Sequence, residues 1–287
     1  MPVSCSFGSS KPVYILVGPK KEPFMIHSKL LAFQSLPLKK LVCGPMKEAT
    51  EGVAEWPEVD RDTFIRFSQW VYTGDYDGEV SKLVIPAPPP SPLATVEAPA
   101  AKVGPLPQDT SPPAKRAKLA GVSPGEQIDR ISEERRLRFG IGPSPAAKET
   151  TGAEAKLRDY SGVLLSHARV YVLADYYNIP WLISASTTKL KDSLDGFLES
   201  FPPSTKQHDM AIENFVELLE YSYANTVDKS GKQDLLRKVI TTYAARWAGK
   251  LKPHKEFQRV LDRFGELGKD IIGELVDNNS SFKSKGK

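Results

Sequence analysis

The sequence predicts an α+β fold, a small sheet with helices, followed by an α-helical C-terminal extension. Three observations carry this expectation. Two short apolar runs near the start, at 13–17 and 24–26, are separated by turn residues, as a strand hairpin requires. Helical periodicity then appears in two blocks, one ending near Tyr76 and one opening at Val163, with a Pro-rich stretch between them. Beyond Pro203 three amphipathic patterns run in series, the pattern of a helical bundle.

Taken in order, residues 13–17 (Val-Tyr-Ile-Leu-Val) lie between Pro12 and Gly18-Pro19 and read as a buried strand. Residues 24–26 read as a second, and the turn-rich connection at 18–23 pairs the two. A short helix is expected at 29–34, begun by His27 or Ser28, with Leu30, Leu31 and Phe33 crowding one side. Pro37 suits the first turn of the next helix, which carries Leu38, Leu41 and Val42 and stops at Gly44-Pro45. Residues 53–56 can form a third strand. Asp60 is placed to cap a helix whose Phe64, Phe67 and Val71 recur at i, i+3 and i+7, and Thr73-Gly74 ends it.

That order leaves an apolar helix face in need of cover. Residues 163–177 supply it, with His167, Val170, Tyr171 and Ala174 at i, i+3, i+4 and i+7. Pro180 breaks this helix, and 181–194 reads as another with Leu182, Ala185 and Leu190 inward. In the extension, Ile212, Phe215, Val216, Leu219 and Tyr223 make one stripe, and Leu236, Val239, Ile240, Tyr243 and Trp247 a second. Phe257, Val260, Leu261 and Phe264 make a third that leads into Leu267, Ile271 and Leu275.

Between the two blocks, residues 83–159 hold thirteen of the chain's 24 prolines and a single aromatic, Phe139, so they bury too little apolar surface to offset ordering entropy. Disorder is expected there, with 126–139 as a charged helix-forming stretch carrying Ile128 and Ile131. Lengthening a loop from about 10 to about 80 residues is three doublings, or roughly 2 kcal/mol of closure entropy, which a domain of this size tolerates. The expected organisation is a flexible N-terminus at 1–11, a first half-domain at 12–82, the insertion at 83–159, a second half at 160–200, the helical extension at 205–279 and a flexible tail at 280–287.

Four segments in this order carry a family resemblance: Val13-Tyr14-Ile15-Leu16-Val17-Gly18, then Phe24-Met25-Ile26-His27-Ser28-Lys29-Leu30-Leu31, then Phe67-Ser68-Gln69-Trp70-Val71-Tyr72-Thr73-Gly74-Asp75-Tyr76, and finally His167-Ala168-Arg169-Val170-Tyr171-Val172-Leu173-Ala174-Asp175-Tyr176-Tyr177. Together they resemble the BTB/POZ family in its fungal form, over roughly residues 12–82 and 160–200. The resemblance implies a BTB/POZ-like fold split by the insertion, a protein-interaction module and no catalyst. The helices that follow are similar to the extension found after BTB domains in many family members.

Composition narrows the classes further. Two cysteines, Cys5 and Cys43, form no C-x-x-C pair, which excludes a disulfide framework and a zinc site and points to a reducing compartment; Cys43 is expected as a small core residue. No apolar run approaches the roughly 20 residues needed to cross a bilayer, and the start lacks signal-peptide character, so a soluble intracellular protein without membrane contact is expected. The formal net charge of +4 is spread over interleaved acids and bases, and no helix-turn-helix, zinc-finger or RNP pattern is present, so no direct nucleic-acid binding is expected. The sequence contains no G-x-G-x-x-G, Walker A or H-E-x-x-H, and the expectation is a non-enzyme with no cofactor and no metal. His27 reads as a structural residue at a strand-to-helix junction, His167 as a satisfied core histidine, and His208 and His254 lack ligand partners at metal spacing.

Three motifs remain. Met46-Lys47-Glu48 occupies the place where BTB adaptors of cullin-type ubiquitin ligases carry a hydrophobic-x-Glu triplet that contacts the cullin scaffold. Such a contact needs an apolar anchor beside a carboxylate able to take a charge-assisted hydrogen bond. The competing reading places the triplet simply in the loop before the third strand, and the absence of a substrate-reading module argues against an adaptor. Pro112-Pro113-Ala114-Lys115-Arg116-Ala117-Lys118-Leu119 resembles a monopartite nuclear import signal, with Lys115, Arg116 and Lys118 as the residues an import receptor would hold; a solubilising basic patch is the alternative. Ser111-Pro112 and Ser123-Pro124 bracket it, and phosphorylation of Ser111 and Ser123 would add negative charge beside the cluster, as an import switch. The expected function is a nuclear protein-interaction scaffold, shuttling with the cytoplasm. The second reading is the substrate-recognition adaptor of a cullin-type ubiquitin ligase. Only about eleven residues precede the first strand, little chain for the exchanged element through which the family usually self-associates, so self-association stays open and a monomer fits.

Overall fold

The structure, a computed structural model, describes residues 10–84, 157–229 and 231–284, with side chains to residue 277. Cys5, the stretch at 126–139, the import-signal residues Lys115, Arg116 and Lys118, and Ser111 and Ser123 lie outside the described residues.

The N-terminal block forms a three-stranded sheet with β1 (Pro12–Val17) in the middle. It pairs antiparallel with β2 (Glu22–His27), placing Ile15 opposite Phe24, and parallel with β3 (Val53–Trp56), placing Ile15 beside Ala54. Along β1, Val13, Ile15 and Val17 are buried while Tyr14 faces out, the period of two that a one-sided sheet imposes. Three helices connect β2 to β3: α1 (Ser28–Gln34), α2 (Leu36–Cys43) and α3 (Lys47–Glu51). Then α4 (Arg61–Thr73) starts at Asp60, whose carboxylate accepts the Thr63 N–H at 2.9 Å and the Thr63 hydroxyl at 2.7 Å. A strap follows, ending in β4 (Lys82–Leu83), which pairs antiparallel with β5 (Arg158–Asp159) across the insertion. The edges of the expected disordered segment, at Leu83 and at Arg158–Asp159, are thus strand.

Beyond the insertion run α5 (Ser161–Tyr176) and α6 (Pro180–Leu194), a short 3-10 turn at Leu198–Ser200, then α7 (Lys206–Asn225), α8 (Leu235–Arg246), α9 (Ala248–Leu251), α10 (Lys255–Arg263) and α11 (Gly265–Ser284). This is a mixed α+β architecture in which helix dominates. The described residues on both sides of the insertion belong to one compact unit.

Two hydrophobic interiors organise that unit, and α5 faces both. Val170, Leu173 and Ala174 join the sheet, α1, α2 and α4, where Phe64, Phe67 and Val71 are buried as their spacing predicts. Leu164, Leu165, Ala168 and Tyr171 join the interior formed by α6, α7, α8, α10 and α11. Facing two interiors, α5 buries apolar residues on more than one side, from Leu164 to Ala174. Trp56 of β3 stacks on Tyr177 just past α5, with ring centroids 4.4 Å apart, so aromatic contact also bridges the insertion.

Several local expectations need correction. Phe33 is 86% exposed; at 3.6 residues per turn it lies about 200° around α1 from the inward Leu31, so both cannot face the sheet. Cys43 is exposed because the buried positions of α2 are Leu38 and Val42. Met46-Lys47-Glu48 is not loop: Met46 caps α3 and Glu48 sits in its first turn. On α6, Ser186 and Thr187 are buried in place of Ala185, their hydroxyls both donating to the Ile183 carbonyl at 3.0 and 2.7 Å. The third amphipathic pattern of the extension divides at Phe264 into α10 and α11, and Leu275 is left 39% exposed. The last helix continues to Ser284, past the expected start of the tail.

Candidate interaction surface

The corner made by α1, α2 and α3 brings the one sequence-predicted site in the described residues, Met46 and Glu48, into a defined setting. Ser35 separates α1 from α2 in extended conformation, and its hydroxyl accepts the Leu38 N–H at 3.3 Å, capping α2. Leu38 and Val42 turn inward, which forces Leu36 outward to 63% exposure. Gly44-Pro45 ends α2, and the Met46 carbonyl then accepts from Ala49 and Thr50, starting α3.

Met46 is 46% exposed, and within the described residues the Glu48 carboxylate makes no hydrogen bond or ion pair, whereas its neighbour Lys47 reaches Glu51 at 3.7 Å. An exposed apolar side chain and a carboxylate with no partner among the described residues thus lie two positions apart at the start of α3. Phe33, Leu36 and Met46 are three exposed large apolar side chains within fourteen residues of chain, candidates for contact with a partner. Sequence reasoning missed Phe33 and Leu36. The signal was available in α1, where Leu31 and Phe33 lie on opposite sides of so short a helix.

Strand addition is the other common way for a small sheet to bind, and β2 is guarded against it. The Ser28 N–H bonds inward to Lys11 O at 3.0 Å, which sets the phase so that Pro23, Met25 and His27 point their amides outward. Pro23 has no N–H, and the His27 N–H is already taken by the Tyr72 hydroxyl at 3.3 Å. The same hydroxyl lies 2.9 Å from His27 Nδ1, so His27 is bonded within the fold at its strand-to-helix junction.

The histidines His167 and His208 are internal. Burial pushes the His167 imidazole down to about 3, with the Lys189 and Arg66 charges acting in the same direction, so the ring is neutral, and its Nδ1 shares a hydrogen bond with the Tyr76 hydroxyl at 2.9 Å. Burial pushes the Tyr76 phenol far up, which keeps it a donor. His208 Nδ1 lies 3.2 Å from the Phe201 carbonyl and is satisfied there. Among the described residues no group of three or more His, Cys, Asp or Glu could hold a metal ion, and no helix is long and apolar enough to cross a membrane. A groove of about 640 Å³ between α7 and α10 is rimmed by acids, but Arg263 pairs with Glu220 and Arg259 with Glu256 at 2.5 Å, so much of that charge is already neutralised.

In comparison with known proteins, no family model, no curated protein and no solved structure matches this chain.

Proposed function

We propose that the chain is a non-catalytic protein-interaction scaffold of BTB/POZ type, acting in the nucleus with exchange to the cytoplasm. The observation that supports this reading most is the completion of the sheet's interior by α5: Val170 and Ala174, from beyond the insertion, cover Phe67 and Val71, in the segment order on which the resemblance rests. The exposed Phe33, Leu36 and Met46 are the surface offered to protein partners. Purification from nuclear extract tests the reading directly. Proteins retained by the wild-type chain are expected to be lost with a Phe33→Asp, Leu36→Asp variant of unchanged fold; identical retention by both would remove this surface from the proposal. The import reading predicts that a Lys115→Ala, Arg116→Ala, Lys118→Ala variant stays cytoplasmic, and equal nuclear entry would dismiss it.

A second reading, the substrate-recognition adaptor of a cullin-type ubiquitin ligase, is favoured by one specific observation, the unpaired Glu48 beside exposed Met46. Binding to a purified cullin scaffold, abolished by Glu48→Lys, is the expected result. No binding by the wild-type chain eliminates the adaptor reading and leaves the scaffold.

A further inference from the structure

The described residues stop at Val84 and resume at Leu157, and both ends are held with more care than a passing loop needs. In the neck, Lys82 pairs with Asp159 and Leu83 with Arg158, and the Val84 N–H adds a further rung to the Leu157 carbonyl at 2.8 Å. On the far side of β5, the Gln207 side-chain amide takes both backbone groups of Arg158: Oε1 accepts the N–H at 2.7 Å and Nε2 donates to the carbonyl at 2.7 Å. A primary amide used this way stands in for one residue of a neighbouring strand, so β5 has a partner on each side. The Arg158 guanidinium also reaches the Ser81 hydroxyl at 3.2 Å.

The strap leading into β4 is held equally closely on α5. The Tyr76 hydroxyl meets His167, the Glu79 N–H meets the Ser166 hydroxyl at 3.2 Å, and the Glu79 carboxylate bridges Lys82 at 2.6 Å and Arg66 at 3.6 Å. Two glycines permit this approach. A Cβ on Gly78 would fall 2.8 Å from the His167 ring, and one on Gly162 would fall 2.6 Å from the Glu79 carboxyl group.

We propose that β4 and β5, locked onto α7 by Gln207, form a closed neck at which the folded body is complete, so that residues 85–156 are a replaceable connection that the body does not need in order to fold. Every backbone rung the neck requires is supplied by described residues on the body's side. The geometry also fixes the shortest replacement. Because the Val84 N–H bonds the Leu157 carbonyl and so sets these two residues opposite each other, two residues suffice between them, and Asn-Gly matches such a turn.

The first test replaces 85–156 with Asn-Gly and measures thermal unfolding beside the full chain. A single transition at an equal or higher Tm is expected, since a short connection costs less closure entropy than a long one. Loss of the cooperative transition, or a Tm lower by more than about 5 °C, which exceeds what a few local contacts carry, overturns the proposal. The second test keeps the full chain and carries Gln207→Leu. Amide exchange at Val84 and Arg158 is expected to speed up by about tenfold or more, the loss of two hydrogen bonds, while β1 amides stay unchanged. Unchanged exchange at Val84 and Arg158 shows that Gln207 is not the lock and overturns that part.

Discussion

The interior around the three-stranded sheet and the interior of the helical extension share α5, but they draw on the chain in different ways. The first joins residues from both sides of the insertion: Phe67 shares its cluster with Val170, and Trp56 stacks on Tyr177. The second is assembled almost wholly from consecutive helices between α5 and α11. Long-range contacts require loop closure before they stabilise anything, whereas neighbouring helices pack soon after they form. One helix with two apolar faces ties the interior built from distant segments to the one built from consecutive helices.

The largest test of this comparison removes a large ring from each side. Phe67→Ala and Trp247→Ala each delete a fully buried side chain and are expected to cost about 3–5 kcal/mol. If α5 couples the two interiors, both variants lower one common unfolding transition, followed by calorimetry. Two separated transitions would break the comparison and make the extension an independent domain.

A smaller effect comes from His167, which sits on α5 toward the strap. Its folded value of about 3 lies below the usual 6.5, so the unfolded chain takes up the proton first. The contribution of the neutral ring is complete above pH 6.5 and is lost progressively as pH falls from there toward 3. At pH 5 the loss amounts to about 2 kcal/mol, by the relation of about 1.4 kcal/mol per unit. Urea unfolding at pH 7.5 and pH 5.0 should show it, and His167→Gln should flatten the difference. An equal loss in the variant would assign the pH dependence to the carboxylates instead.

The smallest expected effect sharpens the contrast between interior and surface. Phe33→Ser alters a side chain that is 86% exposed, so stability should change by no more than about 0.5 kcal/mol. A larger loss in denaturant titration would mean that Phe33 packs against the fold and is not presented to partners.

Much of the fold was legible in the sequence where period and punctuation agreed. The Asp60 cap, the Phe64-Phe67-Val71 face and the covering role of Val170 and Ala174 were all readable, because each rests on regular spacing bounded by a turn signal. The failures fall where short helices give spacing too little length to decide a face. Phe33 and Cys43 look like core residues by type alone, yet in their helices it is Leu31, Leu38 and Val42 that are buried, with Leu30, Ala32 and Leu41 packed partly against the interior. The neck was illegible for another reason: β4 and β5 are two residues each, and their pairing depends on a side-chain amide from Gln207 far along the chain. Of the candidate site, Met46 and Glu48 were named in advance. Their helical setting and the neighbouring Phe33 and Leu36 came only with the packing.

The central claim is that residues on either side of the insertion condense into one interior. A double-mutant cycle on Trp56→Leu and Tyr177→Leu, read by urea unfolding, tests it most directly, since the two rings are stacked at 4.4 Å across the insertion. A coupling energy of about 0.5–1.5 kcal/mol is predicted for the pair. Additivity within about 0.3 kcal/mol would contradict the account.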